Sequence, residues 1–248
     1  CAALMEAIQR GKKVTVFVEV QARFDERTNL FWGEALEKAG AHVLYSYANL
    51  KVHCKLCLIE RRENNRTVRY AYLGTGNFNE RTSQIYADMA LLTAQPALTR
   101  EVAEVFAHLG DRRHRPALSQ LLMAPLTLRD RLETAIDKEI ESALVGKPAE
   151  ILLKLNSLED RALIRKLYDA SNAGVKVRLI IRGICCLVPG VEGLSANIEA
   201  ISIVDRYLEH TRVYSFHNNG RPLVMLSSAD WMGRNLDRRI EVAFPITD

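Results

Sequence analysis

The stretch Ala170-Ser-Asn-Ala-Gly174-Val-Lys-Val177-Arg-Leu-Ile-Ile181 repeats the pattern of Ala7-Ile-Gln-Arg-Gly11-Lys-Lys-Val14-Thr-Val-Phe-Val18 at a constant offset of 163 residues (170 − 7). In both copies a helix end runs into a glycine cap and then a β-branched, apolar strand of the kind that α/β sheets bury on both faces. A chain of 248 residues has room for two such units. The repeat therefore predicts an α/β protein of two tandem units, each a mixed β-sheet flanked by helices. The breaker-rich basic segment Gly110-Asp-Arg-Arg-His-Arg-Pro116 supplies the boundary, giving units of 1–116 and 117–248. His108 and His114, at the preceding helix end and in this linker, read as surface residues.

The repeat extends to chemically active residues. Lys51-Val-His-Cys-Lys-Leu-Cys-Leu-Ile59 reads as one strand, with His53, Lys55, Cys57 and Ile59 on one face and Val52, Cys54, Leu56 and Leu58 on the other. In the second half, Tyr207-Leu-Glu-His210-Thr-Arg212-Val-Tyr214 puts His210 and Arg212 where His53 and Lys55 stand. A neutral imidazole is a competent nucleophile near neutral pH, and a neighbouring cation can hold a phosphate. A histidine that merely fills space has no reason to recur in the same setting, so the pair predicts a site at a pseudo-twofold interface.

The polar run around Asn64-Asn65 predicts a hairpin into Val68–Leu73. That strand ends in Gly74-Thr-Gly-Asn-Phe-Asn79, a small-residue turn whose amides and hydroxyl suit an oxyanion; Thr75 and Asn77 become candidates. Leu226-Ser-Ser-Ala-Asp230 takes its place in the second half, adding Ser228, and Arg239-Ile-Glu-Val-Ala243 matches Ala87-Asp-Met-Ala-Leu91. Arg23 and Arg182 each follow the repeated strand, where α/β proteins carry function. The Arg23 segment leads into a helix over Leu30–Ala39, capped by Asp25 or Thr28 and closed by Gly40.

Composition narrows the classes. A balance of 34 Lys+Arg against 30 Asp+Glu gives only +4, so no nucleic-acid-binding tail is implied. Five cysteines, odd in number and clustered as Cys54/Cys57 and Cys185/Cys186 with Cys1 alone, suit a reducing compartment better than a disulfide framework. His53-Cys54-x-x-Cys57 is a poor zinc site, because Cys54 and Cys57 point to opposite faces of a strand and no second ligand pair follows. No apolar run approaches membrane-spanning length.

Taken together, Ala22-Arg-Phe-Asp-Glu26, Lys51-Val-His-Cys-Lys55, Gly74-Thr-Gly-Asn-Phe-Asn79, Ile181-Arg-Gly-Ile-Cys185, Tyr207-Leu-Glu-His210 and Leu226-Ser-Ser-Ala-Asp-Trp-Met232 resemble the blocks of the first family of polyphosphate kinases. Both halves resemble its phospholipase D-like C-terminal domains. The resemblance implies reversible transfer of the terminal phosphate of ATP to inorganic polyphosphate through a phosphohistidine, with Mg²⁺. It puts the phosphorylated histidine at His53, the second essential histidine at His210, nucleotide contacts at Tyr86, Arg182 and His210, and a phosphate–magnesium contact at Arg23. A guanidinium cannot ligate a cation, so Arg23 is read as holding the phosphate that carries Mg²⁺. Facing and turn geometry add Lys55, Arg212, Thr75, Asn77 and Ser228.

The resemblance further implies a homo-oligomer in the full-length protein, and a cytoplasmic location, free or peripheral at the inner membrane. It implies that the chain begins after the family's N-terminal and head domains and stops before a helical tail. These 248 residues are then expected to fold but to make polyphosphate poorly alone. The competing readings are a phospholipase D-type phosphodiesterase, whose His-x-Lys motif normally carries a further Asp that neither half shows here, and a folded module without catalysis.

Overall fold

The computed structural model describes residues 1–20 and 26–247. Arg23 and Asp25 lie outside the described residues. In the first unit, α1 (Ala2–Gln9) leads to β1 (Thr15–Val18), and α2 (Glu26–Lys38) leads to β2 (His42–Tyr45). Gly11 at φ +75° and Gly40 at φ +104° make the turns out of the two helices, in a region open to glycine at little cost. Strands β1 and β2 run parallel, Thr15 opposite His42 and Val18 opposite Tyr45. β1 is not buried on both faces as its composition predicts. Among the described residues it pairs only with β2, and α1 contributes no fully buried residue to cover it. Thr28 lies inside α2, which starts before the expected Leu30.

The strand expected over Lys51–Ile59 is broken at its histidine into β3 (Lys51–Val52) and β4 (Lys55–Glu63). The amides of His53 and Cys54 both donate to the Ile240 carbonyl, at 2.8 and 3.2 Å. Two donors on one acceptor cannot keep ladder spacing, so the chain steps from one sheet to another there. The face assignment survives the break: Val52, Cys54, Leu56 and Leu58 enter the first unit's core, while Cys57 and Ile59 line an outer apolar groove. The hairpin to β5 (Arg66–Gly74) turns through Asn64 and Asn65, both at positive φ (46° and 61°), with Glu63 opposite Arg66. This is the two-residue turn whose twist matches its strands. Then come α3 (Glu80–Ser83), β6 (Tyr86–Ala87), β7 (Ala90–Thr93), which completes a three-stranded antiparallel sheet with β4 and β5, and α4 (Pro96–Gly110).

The second unit runs β8 (Leu122–Ala124), α5 (Leu128–Leu144), β9 (Glu150–Leu155), α6 (Arg161–Asn172), β10 (Lys176–Ile181), β11 (Ile198–Ile201), β12 (Leu208–Glu209), β13 (Arg212–Phe216), β14 (Leu223–Ser227), α7 (Gly233–Arg238) and β15 (Arg239–Pro245). Its mixed sheet has the order β11-β10-β9-β13-β14-β15-β3, with β8 also on β15. The first unit's β3 thus closes the second unit's sheet. One face of that sheet packs under Leu128, Leu132 and Ile136 of α5 and Leu163 and Leu167 of α6. On the other, Leu226, Ile240, Val242 and Phe244 pack with Leu98, Val102 and Val105 of α4. Alternation along β15 therefore welds the units together.

His108 is not a surface residue. It is buried at the end of α4, its Nδ1 2.6 Å from the His114 carbonyl and its Nε2 beside Arg112. The turn that follows α4 folds back over it, and no local pattern reveals that. Among the described residues no helix is long and apolar enough to cross a membrane.

Candidate active site at the unit interface

Two parallel pairings, each two residues long, assemble the site. β3 pairs with the start of β15, with Val52 opposite Ile240, and β12 pairs with β6, with Glu209 opposite Ala87. Each pair delivers a histidine from one unit to a carboxylate from the other. His53 follows β3 and Glu241 follows Ile240; His210 follows β12 and Asp88 follows Ala87. The anchoring repeats too, since the amides of His210 and Thr211 donate to the Ala87 carbonyl at 3.3 and 3.0 Å, as those of His53 and Cys54 do to Ile240. The true equivalents are therefore Asp88 and Glu241. The repeat register read from the sequence, Ala87 with Arg239, sets Asp88 against Ile240 and is one residue out.

His53 Nδ1 lies 2.9 Å from Glu241 Oε2, and His210 Nδ1 lies 2.8 and 2.9 Å from the two Asp88 oxygens. Hydroxyls repeat behind the carboxylates: Ser228 Oγ donates to Glu241 at 2.5 Å, and Thr75 Oγ1 donates to Asp88 at 2.6 Å. The Thr75 amide donates to the Met89 carbonyl, so these groups of the Gly74–Asn79 turn support His210 rather than offer themselves to an anion. Gly76 is required here, because a Cβ would collide with the Asp88 carboxyl. Tyr86 stacks on His210 with ring centroids 4.8 Å apart. Asn77 is exposed and makes no side-chain contact to the two histidines.

The two imidazoles differ at Nε2. His210 Nε2 faces Arg212 Nη1 at 3.1 Å. His53 Nε2 has no hydrogen-bond partner among the described residues, and His53 borders a cleft of about 330 Å³. Arg182, Arg212, Arg234 and Arg239 line that cleft, with Asp230 as its only carboxylate among the described residues. Asp230 is spent on Arg212 (3.3 and 3.0 Å) and on the amides of Asn156 and Ser157 (2.7 and 3.2 Å). Asn156 Oδ1 accepts from Arg182 Nε at 2.5 Å. Four guanidiniums against one paired carboxylate give the cleft the positive lining that suits a polyanion.

Burial lowers the pKa of His53 and His210 despite their carboxylate partners, and Lys55 and Arg212 add to the fall. Both rings are thus neutral near pH 7. Burial drives the Glu241 carboxyl up, but His53, Lys55 and the Ser228 hydroxyl more than offset it, and it stays ionised. Lys55 is 7% exposed, its Nζ has no hydrogen-bond partner among the described residues, and burial pulls its pKa down to about 8. Glu241 and Asp88 favour the ammonium and Arg212 opposes it, but burial outweighs them, leaving a cation with no hydrogen-bond partner among the described residues.

The donor set does not fit a protein-held Mg²⁺. Among the described residues no three His, Cys, Asp or Glu side chains are grouped to hold a metal, and Asp230 is already bound by Arg212. Of the residues singled out from sequence, the structure gathers His53, His210, Lys55, Arg182, Arg212, Thr75, Ser228 and Tyr86. Sequence reasoning assigned nothing to Glu241, Asp88, Asp230, Asn156, Arg234, Arg239 or Asn235. Of these, Asp88 and Glu241 left a trace, since both fall in segments matched in the repeat, Ala87–Leu91 and Arg239–Ala243.

Residues 1–115 match the family of polyphosphate kinase C-terminal domain 1, and residues 121–248 match polyphosphate kinase C-terminal domain 2. The polyphosphate kinases of Vibrio vulnificus and Escherichia coli are each 52% identical over 246 residues, which is 99% of this chain and 35% and 36% of theirs. The crystal structure of polyphosphate kinase from Porphyromonas gingivalis superposes with a TM-score of 0.90 at 45% identity, covering 100% of this chain and 38% of that one. Yeast tyrosyl-DNA phosphodiesterase shares the fold alone, with a TM-score of 0.53 at 9% identity over 93% of this chain and 75% of its own. The chain spans about a third of the length of its curated relatives (35%). With two family matches that abut along the chain and a two-unit fold shared with a solved relative, the chain belongs to the polyphosphate kinase family.

Proposed function

We propose that this chain carries the phosphoryl-transfer centre of a polyphosphate kinase, moving the terminal phosphate of ATP reversibly onto inorganic polyphosphate through a phosphohistidine at His53. One observation carries the reading: His53 Nε2 has no hydrogen-bond partner among the described residues and borders a cleft lined by four arginines, while Nδ1 is held by a buried carboxylate. In the forward step the Nε2 lone pair attacks the γ-phosphorus, the bond to the β–γ bridging oxygen breaks, and ADP leaves. The phosphorylated ring becomes cationic with its proton on Nδ1, and Glu241 offsets that charge. A terminal oxygen of polyphosphate then takes the phosphoryl group and returns the lone pair to Nε2.

Little covalent chemistry is asked of the protein beyond this; positioning and positive charge around the equatorial oxygens do the rest. Arg182 and Arg212 hold phosphate oxygens, joined by Arg234 and Arg239. Lys55 adds charge between the two histidines. His210, oriented by Asp88, handles the leaving and attacking oxygens, and Tyr86 and Arg182 contact the nucleotide. Arg23 is assigned to phosphate carrying Mg²⁺, and the cation enters as part of that substrate. Free thiols at Cys1, Cys54, Cys57, Cys185 and Cys186 support a cytoplasmic setting, and the full-length protein is read as a homo-oligomer.

The test is incubation with γ-labelled ATP and Mg²⁺, then a search for an acid-labile, base-stable protein label. The reading expects label in the wild type and none in His53→Ala. Label that persists in His53→Ala, or diester hydrolysis without any label, refutes it; the latter outcome selects the phosphodiesterase reading.

A further inference from the structure

The two histidine–carboxylate pairs match in their backbone and hydroxyl partners, yet one group has no counterpart. Asn235, buried in α7, donates from Nδ2 to Glu241 Oε1 at 2.6 Å. The amide cannot be turned round, because its oxygen would then face a carboxylate oxygen. With Ser228 Oγ and His53 Nδ1 on Oε2, Glu241 has both oxygens held from opposite sides and is 0% exposed. Asp88 has only the Thr75 hydroxyl, and His210 itself spans both its oxygens. Asn235 also lines the cleft, and its Oδ1 has no partner among the described residues.

The backbone of its own turn holds Asn235 in α7. The Asn235 amide N–H donates to the Met232 carbonyl at 2.9 Å. Asp237 on the same helix is gripped by Arg129 at 2.9 and 2.8 Å, and Arg129 also grips Asp160, the N-cap of α6, at 3.0 and 2.7 Å. The charged groups that act on His53 are Glu241, Lys55 and Arg212. Only Glu241 favours a proton on Nδ1, so its orientation decides which ring nitrogen keeps the lone pair.

We propose that Asn235 is the positioning residue for His53: by clamping Glu241 it keeps the imidazole proton on Nδ1 and the Nε2 lone pair turned to the cleft. This deepens the reading of His53 as phosphoryl acceptor and rests on it. The clamp also accounts for the inequivalence of the two histidines. His53 is held from behind with a free front, whereas His210 has Arg212 across its front.

The test reads the tautomer directly. Two-bond ¹H–¹⁵N spectra of the ¹⁵N-histidine-labelled chain at pH 8, with His53 assigned by its loss in His53→Gln, are expected to show the Nδ1–H form. In Asn235→Leu the Nε2–H form should grow, the ratio falling by roughly tenfold or more, as loss of one hydrogen bond to a charged group allows. ATP-dependent labelling of His53 should slow alongside. Asn235→Ala serves if leucine prevents folding, and Asp237→Ala, which loosens α7 but keeps the amide, should leave the ratio at the wild-type value. A wild-type ratio in folded Asn235→Ala, or an equal fall in Asp237→Ala, overturns the inference. Failure of the kinase reading is distinguishable, since it shows as an unlabelled wild type whose tautomer ratio still responds to Asn235.

Discussion

Replacing Lys55 with methionine should make the protein more stable and less active, and the structure sets the size of the gain. The Lys55 pKa falls from the ordinary 10.5 to about 8, a difference of about 2.5 units. At 1.36 kcal/mol per unit, holding the ammonium in the fold costs about 3 kcal/mol. The sign follows from the lowered folded value. Below pH 8 the lysine is charged in both states and the cost is present in full; it fades as pH rises from 8 and is nearly gone at 10.5, above which both states are neutral. Lys55→Met, which keeps an unbranched stem in the same space, should gain most of that figure at pH 7 and almost none at pH 10.5. For a chain of this size the gain corresponds to a rise in Tm of roughly 6–12 °C. Urea unfolding of both proteins at pH 7 and pH 10.5 measures it. If Lys55→Met destabilises equally at the two pH values, the buried ammonium is not strained and the argument that it waits for an anion is wrong. Saturating phosphate should stabilise the wild type more than the variant, because a bound anion raises the Lys55 pKa while the arginines of the cleft bind it in both.

Arg182→Ala in a full-length enzyme carrying this sequence should lower turnover by roughly 10², the usual loss for one preorganised donor, and unchanged steady-state kinetics would make Arg182 structural. Gly76→Ala should push the Asp88 carboxyl off His210, so a crystal structure of the variant should show the His210 Nδ1 contact broken while the His53–Glu241 pair stays intact. Asp160→Ala removes both the cap on the Leu163 amide (3.0 Å) and the grip of Arg129, and should cost about 2 kcal/mol in urea unfolding at pH 7. Arg129 and the capping amides lower the Asp160 pKa in spite of burial, so this difference should persist above the ordinary carboxylate range and shrink as pH falls through the folded value.

Local pattern revealed what local structure decides. The glycine caps, the Asn64–Asn65 hairpin and the alternation of Leu56 and Leu58 against Cys57 and Ile59 are encoded within a few residues. The recurrence of a histidine two residues before a cation, His53 with Lys55 and His210 with Arg212, was legible for the same reason. Partners remote in the chain were not. Glu241 lies 188 residues from His53, and Asp88 lies 122 residues from His210. The exchange of carboxylates between units is a property of two short parallel pairings that no periodicity encodes. The break at His53 was missed because its cause, the Ile240 carbonyl, belongs to the other unit. Arg234, inside the short helix α7, and Arg239, just after it, drew no reading from the sequence, since only the closed interface turns them toward the cleft. His108 was misjudged because its cover is the turn after its own helix.

The central claim is that His53 presents Nε2 to the substrate while Glu241 keeps Nδ1. Locating the phosphate on the protein after brief reaction with ATP, by fragmentation mass spectrometry for the residue and by ³¹P NMR for the isomer, tests it most directly. The structure predicts phosphate on Nε2 of His53. Phosphate on Nδ1 of His53, or on His210, would contradict it.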